Sequence, residues 1–163
     1  PQVVDAVRPL PVVAAGGIGD GRGVAAALAL GAIGAWIGTA FLVAKECVLH
    51  DDQKEQILGG RSEQFVASRT YSGKPARNYR NVIIEAWEQS GLDPLPMPLQ
   101  GVLMEDFTAA AREAGRYDLI NNPSGQIGGM VNERKPAALI MNELIRGTAD
   151  VLERLNSTTL KNG

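Results

Sequence analysis

The chain has 163 residues, 45% of them hydrophobic and 21% charged, with a formal net charge of −2, which gives no electrostatic case for nucleic acid as a partner. A single cysteine, Cys47, excludes an internal disulfide and a cysteine-based metal cluster. No metal site is expected, and a reducing cytoplasm is the default compartment.

The chain opens at Pro1 without an initiator methionine, and Gln2 to Val7 reads as the end of a helix, so the start looks like a cut. Leu10 to Ala15 is short, valine-rich and bounded by Pro11 and Gly16, the pattern of a fully buried parallel strand. Asp20 suits the N-cap of the alanine-rich helix Gly21 to Leu30, and Gly31 stands where a helix stops. The apolar run inside that helix is far short of the ~20 residues that span a bilayer, so no membrane segment is expected. Ala35-Trp36-Ile37 makes a second short buried strand and completes a β-α-β unit; Trp36 could face a cofactor, but in so short a strand it reads as wedged between barrel and outer helix. Phe41 to Leu58 reads as a further helix ended by Gly59-Gly60. Lys45, Glu46, Asp51, Asp52, Lys54 and Glu55 lie on its wet side, and Phe41, Leu42, Val48, Leu49 and Ile57 face inward.

Gln64 to Thr70 alternates like a strand, Tyr71 to Pro75 is a turn, and Ala76 to Gln89 is helical, with Trp87 at core spacing from Ile83 and Ile84 and a stop at Gly91. Three prolines between Leu92 and Gln100 mark a connection, with a boundary near Pro94 to Pro98. Phe107 to Gly115 is another helix, Asn121 to Gly129 a turn-dense loop, and Pro136 to Leu155 a long amphipathic helix. Asn156 to Gly163 reads as a frayed tail.

Two glycine motifs carry the chemistry: Val12-Val13-Ala14-Ala15-Gly16-Gly17-Ile18, and Gly38-Thr39 after the second strand. A phosphate monoester needs several neutral backbone N–H donors, and successive glycines expose those donors where a Cβ would obstruct them. Helix N-termini add partial positive charge, and (β/α)8 barrels frequently hold a phosphate between the loops after strands seven and eight. Taken singly, each glycine motif reads as a tight turn; Gly16, Gly17, Gly38 and Thr39 together favour a phosphate site.

The segment VVAAGGIGDGRG (12–23), followed by Trp36-Ile37-Gly38-Thr39-Ala40-Phe41, Ser68 to Asn78 and Ser124 to Gly129, resembles the FMN-binding end of the nitronate monooxygenases, formerly called 2-nitropropane dioxygenases. The resemblance covers nearly the whole chain. It implies a cofactor, FMN, and oxidation of an alkyl nitronate by O2 to a carbonyl compound and nitrite. Gly16 and Gly17 would hold phosphate from the loop after strand seven, and Gly38 and Thr39 from the loop after strand eight, with Gln126 as a further cofactor contact. The family's catalytic histidine lies upstream of this chain, so no catalytic residue is assigned. Ala40 stands where many relatives carry a larger polar residue.

The remaining polar residues read as structural. His50, beside Asp51 and Asp52, is a surface histidine at a charged helix end, and Lys74, Arg77 and Arg80, near Glu85 and Glu88, form a solvated helix face.

The expected fold class is therefore α/β: the C-terminal part of a (β/α)8 TIM barrel, incomplete in this chain. Residues 1–47 hold the last two strands with their helices, 48–100 an inserted mainly helical segment, and 101–163 a helical region returning to the barrel. A complete barrel needs about 250 residues, so an isolated chain should aggregate, dimerise by exchange, or be an excerpt of a longer protein. Homo-oligomerisation stays open. So do two alternatives to the nitronate monooxygenase reading: NAD(P)H-dependent reduction of a quinone or enoyl thioester on the same flavin barrel, and a catalytically inactive truncated chain.

Overall fold

The computed structural model describes residues 1–160 and divides into two units, Pro1–Cys47 with the chain from Arg134 onward, and Val48–Glu133.

In the first unit α1 (Gln2–Val7) precedes β1 (Val13–Ala15), α2 (Gly21–Ala29), β2 (Gly34–Trp36) and the single turn α3 (Thr39–Leu42), and α7 (Ala137–Leu160) closes it. The strands are parallel, with Val13 opposite Gly34, Ala14 opposite Ala35 and Ala15 opposite Trp36. The expected β-α-β unit is present, and its punctuation is local. Asp20 Oδ1 accepts the N–H groups of Arg22 (2.9 Å) and Gly23 (3.3 Å), which starts α2. Gly31, at φ +96°, supplies the left-handed residue that ends it.

Helix α7 crosses α2 at backbone contact. A Cβ added to Gly21 would collide with the backbone of Gly147 and Thr148, and the Thr148 hydroxyl donates to Leu144 O (2.6 Å) and approaches Gly21 O (3.3 Å). Ala25, Ala27, Ile140 and Leu144 are buried in this unit.

In this chain, which holds one pair of parallel strands, only one face of the pair is covered. Side chains alternate across a strand, and Ala14 and Ala35 each border an apolar cavity on the helix side, while Val13 is 50% and Trp36 75% exposed. Trp36 is thus not wedged against a helix.

The helix expected over Phe41 to Leu58 is two helices, α3 and, in the second unit, α4 (Asp51–Leu58). The chain between them leaves helical geometry to bond to the start of α7. The Lys45 N–H donates to Lys135 O (3.0 Å), and the Glu46 carboxylate accepts the Ala137 N–H (2.9 Å). Val48, assigned inward, is fully exposed, and Lys54, assigned to water, is buried.

The second unit contains α4, β3 (Phe65–Ser68), β4 (Ala76–Tyr79), α5 (Val82–Ser90), α6 (Leu99–Glu113) and three short 3-10 turns. The first half of the helix expected over Ala76 to Gln89 is instead β4, antiparallel to β3 from Phe65–Tyr79 to Ser68–Ala76. Asn81 divides strand from helix, its Oδ1 accepting the Ile84 N–H at 3.1 Å, and Gly91 at φ +70° ends α5. Trp87 is half-buried and its indole N–H donates to Leu92 O (2.9 Å).

Helix α6 starts at Leu99, directly after the prolines, rather than at Phe107. Gln100 fixes that start. It is fully buried, its Oε1 accepts the Leu95 N–H (2.9 Å) and its Nε2 donates to Thr70 O (2.6 Å). In the expected tail, Asn156 to Leu160 continue α7, and 161–163 lie outside the described residues.

Phe65, Ile57 and Ile84 form the apolar centre of the second unit, with Gly128 pressed against the Phe65 ring. Buried amides tie the loops together: Asn122 Nδ2 donates to Gln53 O and Gln56 Oε1, both at 2.9 Å, and Asn81 Nδ2 to Tyr71 Oη (2.8 Å) and Ile120 O (3.0 Å). The Tyr71 hydroxyl donates to Leu119 O at 2.6 Å. Burial pushes the Tyr71 phenol up to about 12 from an ordinary 10.0. Because folding favours the neutral phenol, its contribution to stability is complete below pH ~10 and is lost as the pH rises through ~12. Chemical denaturation between pH 9 and 12 should show stability falling over that window, with a flatter profile in Tyr71→Phe.

Candidate functional site

Residues Ala15 and Trp36 are in register at the carboxyl ends of two adjacent parallel strands, so the loops that follow them leave the same edge of the sheet. Neighbouring strands lie about 4.8 Å apart, which sets the scale of the gap between the loops. The structure therefore brings Gly16, Gly17, Gly38 and Thr39 to one end of the first unit.

Gly16 and Gly17 have φ of +87° and +71° and are exposed. Two successive residues in this conformation turn the backbone away from the strand direction, a geometry other residues adopt only at a cost. A Cβ built on either glycine, or on Gly38, meets nothing within 4 Å, so open space lies over each of these positions. Gly38 caps α3 with φ −107°, and Thr39 is the first residue of that turn, half-buried. Among the described residues, no backbone hydrogen bond outside the helices and strands uses the N–H of Gly16, Gly17 or Gly38. Bare backbone donors under open space are the features a phosphate cradle requires.

The N-terminus of α2 contributes less than its position beside this loop suggests. Asp20 already takes the N–H groups of Arg22 and Gly23, and its Oδ2 accepts from the Arg22 side chain at 2.8 Å (Nε) and 2.6 Å (Nη2). The Arg22 hydrogen bonds hold the Asp20 carboxyl below the usual range despite partial desolvation. The helix dipole is answered from within the chain, and the first loop's donors reduce to those of the glycine turn. Asp20→Ala should cost about 1 kcal/mol through loss of the cap, read as a lower denaturation midpoint.

Gln126 belongs to the second unit, where it opens a 3-10 helix, Gln126–Met130, with an exposed side chain. His50 caps α4 by accepting the Asp52 N–H at Nδ1 (3.3 Å), and its ring stacks on Tyr117 with centroids 3.7 Å apart. That is the structural reading of this histidine. Lys74, Arg77 and Arg80 are exposed but lie on the β3–β4 turn, on β4 and just after it, not on a helix face. Arg77 donates to Phe65 O (2.6 Å), and Arg80 pairs with Glu88 (2.6 Å) and Glu85 (3.8 Å).

One feature was absent from the sequence reading, the pairing of Arg22 with Asp20, which has a local signal: an acid two residues before an arginine at a helix start.

Two apolar cavities occupy the helix side of the strand pair. One, about 330 Å³, lies between Val24, Ala35, Phe41 and the α7 residues Met141, Leu144 and Ile145. The other, about 370 Å³, lies between α1, β1 and α2 and is bordered by Gly17 and Ile18. No helix is long and apolar enough to cross a membrane among the described residues.

Comparison with known proteins gives the same direction. The family model for nitronate monooxygenase matches residues 1–147. A Mycobacterium tuberculosis protein named "Putative monooxygenase Rv1533" is 38% identical over 162 residues, covering 95% of this chain and 43% of that protein. Among solved structures, a nitroalkane oxidase from Streptomyces ansochromogenes superposes with a TM-score of 0.84 at 31% identity, over 94% of this chain and 43% of that one. FabK from Thermotoga maritima superposes with a TM-score of 0.79, also at 31% identity, over 96% of this chain and 50% of that one. The chain thus spans half or less of the length of these proteins. The α/β architecture, the ordered glycine loops and the family match over residues 1–147 lead to one assignment: the chain belongs to the nitronate monooxygenase family.

Proposed function

We propose that the two glycine loops hold the phosphate of FMN, at the end of a partial (β/α)8 barrel, in an enzyme that oxidises alkyl nitronates with O2 to carbonyl compounds and nitrite. One observation carries the reading: two loops leave the same edge of adjacent parallel strands, each with glycine backbone under open space. Membership of the family and the likeness to a nitroalkane oxidase support the choice of substrate class.

Bound FMN would supply the redox chemistry, accepting electrons from the nitronate and passing them to O2. The protein's part is to bind and orient. Gly16 and Gly17 present main-chain N–H groups that no Cβ screens, Gly38 presents another from the neighbouring strand, and the Thr39 hydroxyl is a further donor type at that turn. Neutral amide donors suit a phosphate dianion. The Asp20 carboxylate is compensated by Arg22, which keeps its charge from opposing the anion.

The experiment is nitrite release from an alkyl nitronate under air, with FMN and without nicotinamide. Nitrite formed in proportion to O2 consumed supports the reading. Oxidation of NAD(P)H without nitronate turnover would replace it with the reductase alternative, and failure to bind FMN would leave the inactive chain.

A further inference from the structure

A cavity of about 130 Å³ lies within the second unit, between one face of the β3–β4 hairpin and one face of α6. Ser68, Ala76 and Asn78 share the hairpin face, since Ser68 pairs with Ala76 and Asn78 lies two residues further along β4. Gly101, Met104 and Thr108 share the helix face by their spacing. None of the described side chains bordering the cavity is charged.

The hydroxyls at this cavity have their hydrogens committed elsewhere. Ser68 Oγ donates to Thr70 Oγ1 (2.9 Å), Ser72 Oγ to Lys74 O (3.2 Å) and Thr108 Oγ1 to Met104 O (2.7 Å), so each keeps only lone pairs for a further partner. Asn78 is 4% exposed, and its Nδ2 donates to Ala76 O at 3.2 Å. Its Oδ1 has no partner among the described residues, a cost that a bound group would remove. Asn121 borders the cavity with a second amide, which can present its oxygen. Arg77, beside Asn78, belongs to the opposite face of β4 and donates to Phe65 O, so its charge is directed away from the cavity.

We propose that this cavity binds one small monovalent cation, potassium or ammonium, between the hairpin and α6. An anion requires donors, which the committed hydroxyls do not have, and a divalent cation requires carboxylates, which the lining lacks. Neutral oxygens that replace a hydration shell are the ligands of a potassium ion, and the N–H groups of ammonium meet the same lone pairs. The volume admits the ion with one or two waters of about 30 Å³ each.

Calorimetric melting of the chain in potassium, ammonium or tetramethylammonium chloride, at one ionic strength, reads the binding, because tetramethylammonium has no N–H and cannot be coordinated closely. With a dissociation constant of about 10 mM, raising potassium or ammonium to about 100 mM against tetramethylammonium should raise the melting temperature by about 4 °C. Thr108→Val, which keeps the shape and loses the lone pairs, and Asn78→Leu should each lose at least half of that shift. Asn78→Asp adds an opposite charge and should bring the shift to about tenfold lower cation concentration. A shift in ammonium alone supports the site with an N–H donor as its occupant, and a shift in potassium supports it with a metal ion. Equal melting temperatures in the three salts overturn the proposal. So does a full shift, at an unchanged concentration, in both Thr108→Val and Asn78→Asp, which would place the ion elsewhere.

Discussion

Gly21→Ala should destabilise the first unit by about 3 kcal/mol and lower the melting temperature by roughly 10 °C. The added methyl meets the backbone of Gly147 and Thr148, not the end of a flexible side chain, so α2 and α7 must move apart to admit it. Their separation would weaken the Thr148 contact with Gly21 O and unpack Ala25 and Leu144. Thr148→Val serves as a control: it removes the hydroxyl but keeps the shape, and should cost about 1 kcal/mol. Comparable losses from both variants would mean that the crossing is held by the hydrogen bond and not by close approach. Calorimetric melting separates the two.

Gly38→Ala is expected to move stability and cofactor binding in opposite directions. At φ −107°, with nothing within 4 Å of a built Cβ, alanine fits without strain and should stabilise by about 0.5 kcal/mol through the unfolded state. The same methyl occupies the space over a proposed phosphate donor and should weaken FMN binding at least tenfold. Gly16→Ala and Gly17→Ala would also lower affinity, but their positive φ adds a folding cost of roughly 1–2 kcal/mol each, which makes them less clean probes. Titration calorimetry with FMN, run beside thermal melts, reads both effects. Unchanged affinity in Gly38→Ala would remove the second loop from the site.

The legible parts of this fold were those set by local chemistry. Asp20 before a run of alanines, Gly31 after it and Gly16-Gly17 at the end of an apolar strand each act within a few residues, and the structure has each where its chemistry predicts. The errors fall where distant contacts decide. An amphipathic pattern continues from Phe41 to Leu58, but Lys45 and Glu46 give up helical geometry for bonds to the start of α7, about 90 residues away. Strand β4 has four residues, its one fully buried side chain is the polar Asn78, and a strong helix follows at once, so neither period-2 hydrophobicity nor length marked it. Helix α6 starts early because Gln100 bonds to Thr70, a partner across the unit. For the site, the glycine loops could be read from residue type alone. For Trp36 the sequence left two places, towards a cofactor or under an outer helix, and residue type alone does not choose between them; the structure leaves it 75% exposed.

A phosphate held by glycine backbone in two adjacent loops sets an order of affinities for FMN and for riboflavin, which has the same ring system without the phosphate. In titrations of the chain FMN should bind at least a hundredfold more tightly than riboflavin; equal affinity for the two, or no binding of FMN, would mean that the loops hold no phosphate.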